Sequence, residues 1–389
     1  MILFNPFRPD PRVHREARAL VTHNIGVTIC ACDAWHGEHT YPANETIDGI
    51  DIKRIKVRFG HVKVVSFVLT LAAFWMFTLF RILIEKPDVI HCHDFDTLPV
   101  GVLAKALTRI PVIFDSHEYY PSMVSQHVPR IAGRMLYFIH RVLSSRADAI
   151  VVVNDEFRKI FGCGAVSIMN VPMMVQRAHP TVRSRGSSFE IFYYGVLVEE
   201  RGISALIRIA TEIPGVALYI AGDGPLKKEV QMAEQQHSNI RYLGWLSEGE
   251  ISSRLASANL IPILYDPTIE NNRLAAPGKL FQAMANGVPV LAYKGTFLER
   301  IISHERCGMA VEFGDRNGLL EAVMRFKNDE SVYNELSSNA LIAFATKYSG
   351  EKMEKRLLSL YKSVLKEQPF GGPSRELALP FTRCRPASI

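Results

Sequence analysis

The sequence predicts an α/β protein of two domains, each an open, largely parallel sheet layered with helices. Short β-branched runs alternate with longer helical patterns through most of the chain. A break in composition at residues 176–188 interrupts that alternation near the middle. The 389 residues, 48% of them apolar, supply enough material for two cores.

The strand candidates are residues 27–31, 89–90, 112–114, 150–153, 191–194, 217–221, 260–264 and 288–292. Each is short and continuously apolar, as a strand covered on both faces must be. Between them, residues 15–23, 100–108, 203–212 and 226–235 repeat apolar side chains at helical spacing. In the break Arg, Pro, Ser and Gly replace that periodicity, and a new strand begins at Phe189. The domains are therefore expected at residues 1–180 and 188–348. After Asp315 the pattern is wholly helical, over 319–326, 332–348 and 351–365, and the last helix, within 349–366, is expected to cross back to the first domain. The tail 369–389 is rich in Pro, Gly and Arg without periodicity, which predicts disorder.

A net charge of +6 fits nucleic acid, an anionic membrane or a phosphorylated substrate alike. The basic residues are not interleaved with aromatics on a recognisable module, so no nucleic-acid partner is expected. Cys30, Cys32, Cys92, Cys163, Cys307 and Cys384 include no C-x-x-C pair, which argues against a zinc ribbon or a disulfide scaffold and for a reducing compartment. Met1 runs into Ile2-Leu3-Phe4 with no charged leader or cleavage site, so a cytoplasmic location is expected.

Two features extend that expectation to peripheral contact with the inner face of the cell membrane. The first is the apolar segment 62–84, which opens with Val62 and closes with Ile84. Plotted as a helix, its polar residues and flanking charges (Lys63, Ser66, Thr70, Thr78, Arg81 and Glu85) fall within a sector of about 120°. The expected reading is a helix packed on the first sheet; the alternative is an interfacial helix carrying Phe67, Phe74, Trp75 and Phe77 into lipid headgroups. The second is the acid-free stretch 126–147, where Arg130, Arg134 and Arg141 lie within about 40° of one another on a helix and His127 joins them. Such a stripe is either a solvated face or a contact for anionic lipid or an acceptor phosphate.

The most specific chemical passage is Pro277-Gly278-Lys279-Leu280-Phe281-Gln282, followed by Gly287-Val288-Pro289. Pro277 and Gly278 place a helix start where unpaired N–H groups and the positive end of the dipole face an anion. Lys279 adds a point charge, which suits a diphosphate. Tyr194-Gly195-Val196-Leu197 opens the same domain with a second strand and loop, and Arg201 stands where the following helix begins, able to give two hydrogen bonds to phosphate. A third loop, Ala221-Gly222-Asp223-Gly224-Pro225, has the glycines for a tight turn and close ligand approach.

In this order the motifs resemble the carboxyl-terminal domain of the family 4, group 1, retaining glycosyltransferases over residues 189–315. The first domain adds Phe7-Arg8-Pro9-Asp10-Pro11-Arg12-Val13, Asp88-Val89-Ile90-His91-Cys92-His93-Asp94, Phe114-Asp115-Ser116-His117-Glu118 and Val152-Val153-Asn154, which look like that family's acceptor-side loops. The resemblance implies the GT-B arrangement, two doubly wound Rossmann-like domains facing across a cleft, with the donor nucleotide in the second and the acceptor in the first. By that analogy Arg201 and Lys279 bind the donor diphosphate and His117 lies near the reacting sugar. Gly195, Gly222, Asp223, Gly224, Gly278, Leu280 and Gln282 surround the nucleotide sugar, and Tyr242 to Trp245 flank the base. Asp10, Arg12, His93, Asp94 and Glu118 line the acceptor side. Arg201, Lys279 and a helix end can stabilise the leaving diphosphate, so no cofactor and no metal is expected, and Asp94-Phe95-Asp96 is not read as a metal pair.

Two positions depart from the pattern. Many members carry paired glutamates where this chain has Leu274 and Gln282, and an arginine where it has Val196. Glutamine keeps hydrogen-bonding capacity without charge and leucine has none, leaving Glu270, Asn271, Asn272 or Arg273 to take over. The implied function is a retaining, metal-independent hexosyltransferase moving a sugar from a UDP- or GDP-linked donor to a cell-surface glycan or lipid-linked acceptor. The alternatives are a catalytically silent glycan-assembly partner and a sugar-nucleotide epimerase of similar form.

Overall fold

A computed structural model describes residues 1–8, 10–34, 41–57, 63–125, 128–162, 164–172 and 188–365. Pro9, Val62, His127, Cys163, Cys384, residues 176–187 of the composition break and the tail 369–389 lie outside the described residues. The chain divides into two compact units, Met1–Met169 with Met353–Ile389, and Asn170–Lys352.

The first unit holds eight strands: β1 (Ile2–Leu3), β2 (Thr28–Asp33), β3 (Asn44–Ile47), β4 (Ile50–Lys56), β5 (Ile90–His93), β6 (Val112–Ser116), β7 (Ala149–Val152) and β8 (Ala165–Ser167). Their order is β3-β4-β2-β1-β5-β6-β7-β8, and all neighbours are parallel except β3 and β4. That hairpin turns at Asp48 and Gly49, with φ of 51° and 79°, the left-handed pair that a two-residue turn demands. The chain runs outward one way from β1 to β2 and the other way from β5 to β8, so the order reverses between β1 and β5. A ligand crevice forms at the carboxyl ends of strands flanking such a reversal.

Helices Lys63–Glu85, Leu98–Thr108 and Arg130–Ser144 cover one face, burying Phe74, Ile82, Leu98 and Ala104 against Phe4, Cys92 and Phe114. The first of them is 23 residues long, and Thr70 and Thr78, from its polar sector, are buried with Phe74 and Ile82. Val65, Val68, Leu69, Met76, Phe80, Leu83 and Ile84 point outward instead. The Thr78 hydroxyl is buried without a hydrogen-bond partner, so this packing places a polar atom inside at a cost. By length and composition this helix could cross a membrane, yet one face is committed to the core of the unit.

The C-terminal helix Gly350–Val364 packs Met353, Leu357, Leu360 and Tyr361 into the first unit. Arg356 Nη1 donates to the Ser167 carbonyl at 3.0 Å, and the Met169 N–H to the Met353 sulfur at 3.3 Å.

The second unit has β9 (Phe189–Tyr194), β10 (Val216–Ala221), β11 (Ile240–Tyr242), β12 (Ile261–Ile263), β13 (Val290–Tyr293) and β14 (Gly308–Val311). Two parallel ladders, β11-β10-β9 and β12-β13-β14, are joined by a bridge between Ile191 and Leu260 and by the Phe192 N–H donating to the Leu260 carbonyl at 3.1 Å. The resulting order, β11-β10-β9-β12-β13-β14, reverses between β9 and β12. Ile191, Leu218, Ile220, Leu264 and Leu291 form its core with Leu206, Val230 and Phe326 from the covering helices.

Candidate active site

In the second unit, the carboxyl ends of β9 and β12 carry the residues expected at the donor diphosphate. Beyond β9 comes Gly195, then a turn of 3₁₀ helix, Glu199–Arg201, before the helix Ile203–Glu212. Beyond β12 comes Tyr265, and the guanidinium carbon of Arg201 sits 3.7 Å from the centre of its ring. Lys279 is the second residue of the helix Gly278–Ala285, and its ammonium lies 5.7 Å from the same ring centre. One aromatic face thus gathers both cations. The Asn272 side-chain oxygen accepts from Arg201 Nη1 at 2.6 Å, and the Tyr194 carbonyl accepts from Lys279 Nζ at 2.8 Å.

Burial, then the charge of Arg201, lowers the Lys279 ammonium to about 7. A lysine so placed lacks an anion. No side chain caps the N-terminus of the helix Gly278–Ala285, which leaves the positive end of its dipole on the same side as Lys279. One turn further on, Gln282 Oε1 accepts from the Tyr194 hydroxyl at 2.7 Å. Val196 is exposed, and Leu274 is packed into the core.

Several expected donor-site residues take other parts. Leu280 is fully buried and its N–H donates to the Pro277 carbonyl at 3.0 Å, so neither its side chain nor its amide reaches a ligand. Gly222 has φ of 134°, and a Cβ there would fall inside the Gly195 carbonyl oxygen. The close approach expected for a ligand is made instead by the neighbouring loop. Gly195, at φ of 140°, leaves room for Lys279, whose Nζ would stand 3.0 Å from a Cβ. Asp223 is exposed, accepting from the Gly224 N–H at 2.8 Å and pairing with Lys227 at 3.3 Å. The Tyr242 hydroxyl donates to the Gly222 carbonyl at 2.8 Å, and Trp245, 74% exposed, stands in the loop beyond it. Gly222→Ala is expected to destabilise the second unit by on the order of 3 kcal/mol, read from urea unfolding.

In the first unit, β5 and β6 end side by side. His117, just past β6, is gripped by two carboxylates: Nδ1 is 3.2 Å from Asp94 Oδ2, and Nε2 is 3.2 Å from Asp115 Oδ2. Its N–H also donates to Asp94 Oδ1 at 3.2 Å. Burial disfavours the imidazolium, but Asp94 and Asp115 outweigh it and raise His117 to about 10. His117 is therefore a cation at neutral pH, with 17% of its side chain exposed.

Three residues expected on the acceptor side make internal contacts. Arg12 is buried, giving two nitrogens to Asp115 at 2.9–3.1 Å and Nη1 to the Ile168 carbonyl at 2.8 Å, so its charge is spent internally. A guanidinium in a dry interior has to be paired in this way. His93 has no exposed surface and lies behind His117, its Nδ1 3.2 Å from His117 Nε2. Asp10 caps the helix Pro11–Thr22, accepting from the Val13 N–H at 3.1 Å and from Asn5 Nδ2 at 3.0 Å. Glu118 remains exposed.

Glu16, His91, His93 and Asp115 form a buried group whose ligand-type atoms lie within 4.8 Å of one another, a set with the chemistry to hold a metal. The Arg12 guanidinium already stands 3.2 Å from Glu16 and 2.9 Å from Asp115, supplying positive charge to both carboxylates. Sequence reasoning missed Glu16, Tyr265 and Tyr361. Tyr265 carried one usable signal, its place just past a strand end.

Two family models match the chain: "Glycosyl transferase 4-like domain" over residues 9–166 and "Glycosyl transferases group 1" over residues 175–342. A glycogen synthase of Mycobacterium tuberculosis is 25% identical over 260 residues, 63% of this chain; the match spans 61% of that relative's length. Among solved structures, sucrose-phosphate synthase from Thermosynechococcus elongatus superposes with a TM-score of 0.75 at 16% identity, over 94% of this chain and 99% of that one. Anabaena HepE in complex with UDP-glucose gives 0.67 at 14% identity, over 93% and 98%. With both halves matched, and with two parallel α/β domains each reversing strand order at its site, the chain belongs to the group 1 glycosyltransferases and has the GT-B fold.

Proposed function

We propose that this chain transfers a sugar from a nucleoside diphosphate sugar, UDP- or GDP-linked, to a hydroxyl of a cell-surface glycan or lipid-linked acceptor, with retention of anomeric configuration. The observation that carries the reading is the convergence of Arg201 and Lys279 on Tyr265, beside an uncapped helix N-terminus, where β9 and β12 diverge. The bond from the anomeric carbon to the diphosphate oxygen breaks, and its electron pair leaves with the diphosphate. Two cations and a helix dipole aimed there favour the transition state over the less charged ground state. That supply of charge supports a transfer without a metal at the diphosphate. Retention requires the acceptor oxygen to bond to the anomeric carbon on the face the diphosphate leaves, its proton passing to the departing diphosphate oxygen. The imidazolium of His117, held by Asp94 and Asp115, is suited to steady a sugar hydroxyl or a phosphate oxygen. HepE was solved with UDP-glucose, which supports a uridine donor.

The test is a screen of radiolabelled UDP-, GDP- and ADP-sugars with membrane extract as acceptor, with and without a chelator, the product's anomeric configuration read by NMR. Label entering glycan or lipid with retained configuration supports the reading. Conversion of the nucleotide sugar without acceptor would make the chain an epimerase, and no turnover with any donor would make it a silent assembly partner, as Leu274 and Gln282 suggest.

The surface of the first unit supports peripheral attachment to an anionic bilayer. Ile131, Met135, Phe138 and Ile139 are exposed on the helix that also carries exposed Arg130, Arg134 and Arg141, and Phe138 is 68% exposed. With Met76 and Phe80 on the helix Lys63–Glu85 of the same layer, these residues combine apolar depth with basic charge, each arginine worth about 1 kcal/mol near such a surface. Wild-type protein is expected to sediment with phosphatidylglycerol vesicles at low salt. Arg130→Glu with Arg134→Glu and Arg141→Glu should abolish this, and equal binding to neutral vesicles would oppose the electrostatic part.

A further inference from the structure

We infer that the C-terminal helix completes the acceptor half-site, with Tyr361 and His91 as positioning residues that hold His93, and through it His117, in place. The inference rests on the proposed part of His117 in transfer.

His91 and His93 alternate along β5 and so face the same side of the sheet, while Cys92 between them faces the helix layer. The Tyr361 hydroxyl is 2.9 Å from His91 Nδ1 across 270 residues of sequence. The His91 and His93 rings stack with centroids 4.3 Å apart and planes 27° from parallel. His93 Nδ1 then stands 3.2 Å from His117 Nε2 and 3.5 Å from Asp115 Oδ2. Tyr361, His91, His93 and His117 thus form one chain of contacts from the helix to the site.

Burial keeps both inner histidines neutral. A neutral imidazole in a dry interior has one fixed N–H, and its ring orientation depends on the partner of the other nitrogen. Without the Tyr361 hydroxyl, His91 Nδ1 loses that partner, so the ring gains freedom to turn, the stack loosens, and the contact His93 makes behind His117 weakens while Asp94 and Asp115 still hold the ring. The charged and titratable groups around this chain include the Met1 ammonium before β1, Asp94 beyond β5, Asp115 on β6, and Asp10, Arg12 and Glu16 at and along the helix Pro11–Thr22.

The test uses full-length protein with ¹⁵N-labelled histidine, comparing the ¹⁵N shifts of the His91, His93 and His117 rings at one fixed pH in wild type, Tyr361→Phe and Leu357→Ala. Leu357 packs from the same helix without a hydroxyl and reports general loosening. Tyr361→Phe should move the ¹⁵N shifts of the His91, His93 and His117 rings, and Leu357→Ala should leave those of His117 unmoved. Tyr361→Phe should also cut kcat on the order of ten- to a hundredfold at unchanged donor KM. An unshifted His117 in Tyr361→Phe, or equal shifts in both variants, overturns the inference. If His117→Ala transfers at the wild-type rate while Tyr361→Phe still shifts the imidazole, the positioning chain stands and the catalytic reading of His117 falls.

Discussion

Lys279→Ala and Arg201→Ala are each expected to lower kcat on the order of a hundred- to a thousandfold, the scale of removing one preorganised donor from a developing negative charge. Both substitutions should leave the unit folded. Lys279 is half-buried with its ammonium held near 7, so its removal relieves a desolvated charge. The sign of the pH dependence follows. In the unfolded chain this amine titrates near 10.5, so the unliganded second unit gains stability as pH rises from 7 to 10.5, and Lys279→Met should erase that slope. Nucleotide binding runs the other way. A bound diphosphate favours the ammonium, so binding takes up a proton, and affinity for UDP or GDP should weaken by up to about tenfold per pH unit above 7. Calorimetry in buffers of different ionisation enthalpy reads the proton directly. Absence of uptake in wild type would detach Lys279 from the anion.

Arg12→Met should be the most damaging single change in the first unit. It strands Asp115, fully buried, and Glu16, which burial already raises to about 8. Breaking a buried pair from one side costs about 3–5 kcal/mol, because the remaining charge has no solvent to turn to. The double variant Arg12→Met with Asp115→Asn should recover part of that loss in urea unfolding. If the single variant is as stable as wild type, Arg12 does not hold the network together.

How much of this was legible depended on whether a residue's environment is local. The strands ending at Tyr194 and Ser116 were visible because apolar runs break off into glycine or histidine at the point where a parallel strand leaves the sheet. Arg201 and Lys279 were legible for the same reason, each being polar next to a strand-loop-helix junction. The Asp48-Gly49 hairpin was equally readable and was passed over, since the flanking runs contain lysine and arginine that blur the alternation.

Burial of charge was not legible. Arg12 and His93 read as surface residues by default, and only partners far away in sequence, such as Ile168 for Arg12, reverse that default. Tyr361 had no signal at all, because its partner is 270 positions distant and its helix reads as ordinary packing. The helix Lys63–Glu85 was harder to read, because a helical wheel shows which residues share a face and not which face the core takes.

A folded unit that turns leucine and phenylalanine outward while keeping threonine within has its surroundings written into its free energy. On the proposed membrane contact, lipid would act on it as a ligand acts on any receptor, favouring the conformation that binds it in proportion to how much is present. The resistance of the first unit to heat would accordingly be a property of protein and bilayer together, and dilution into plain buffer would remove one of the two.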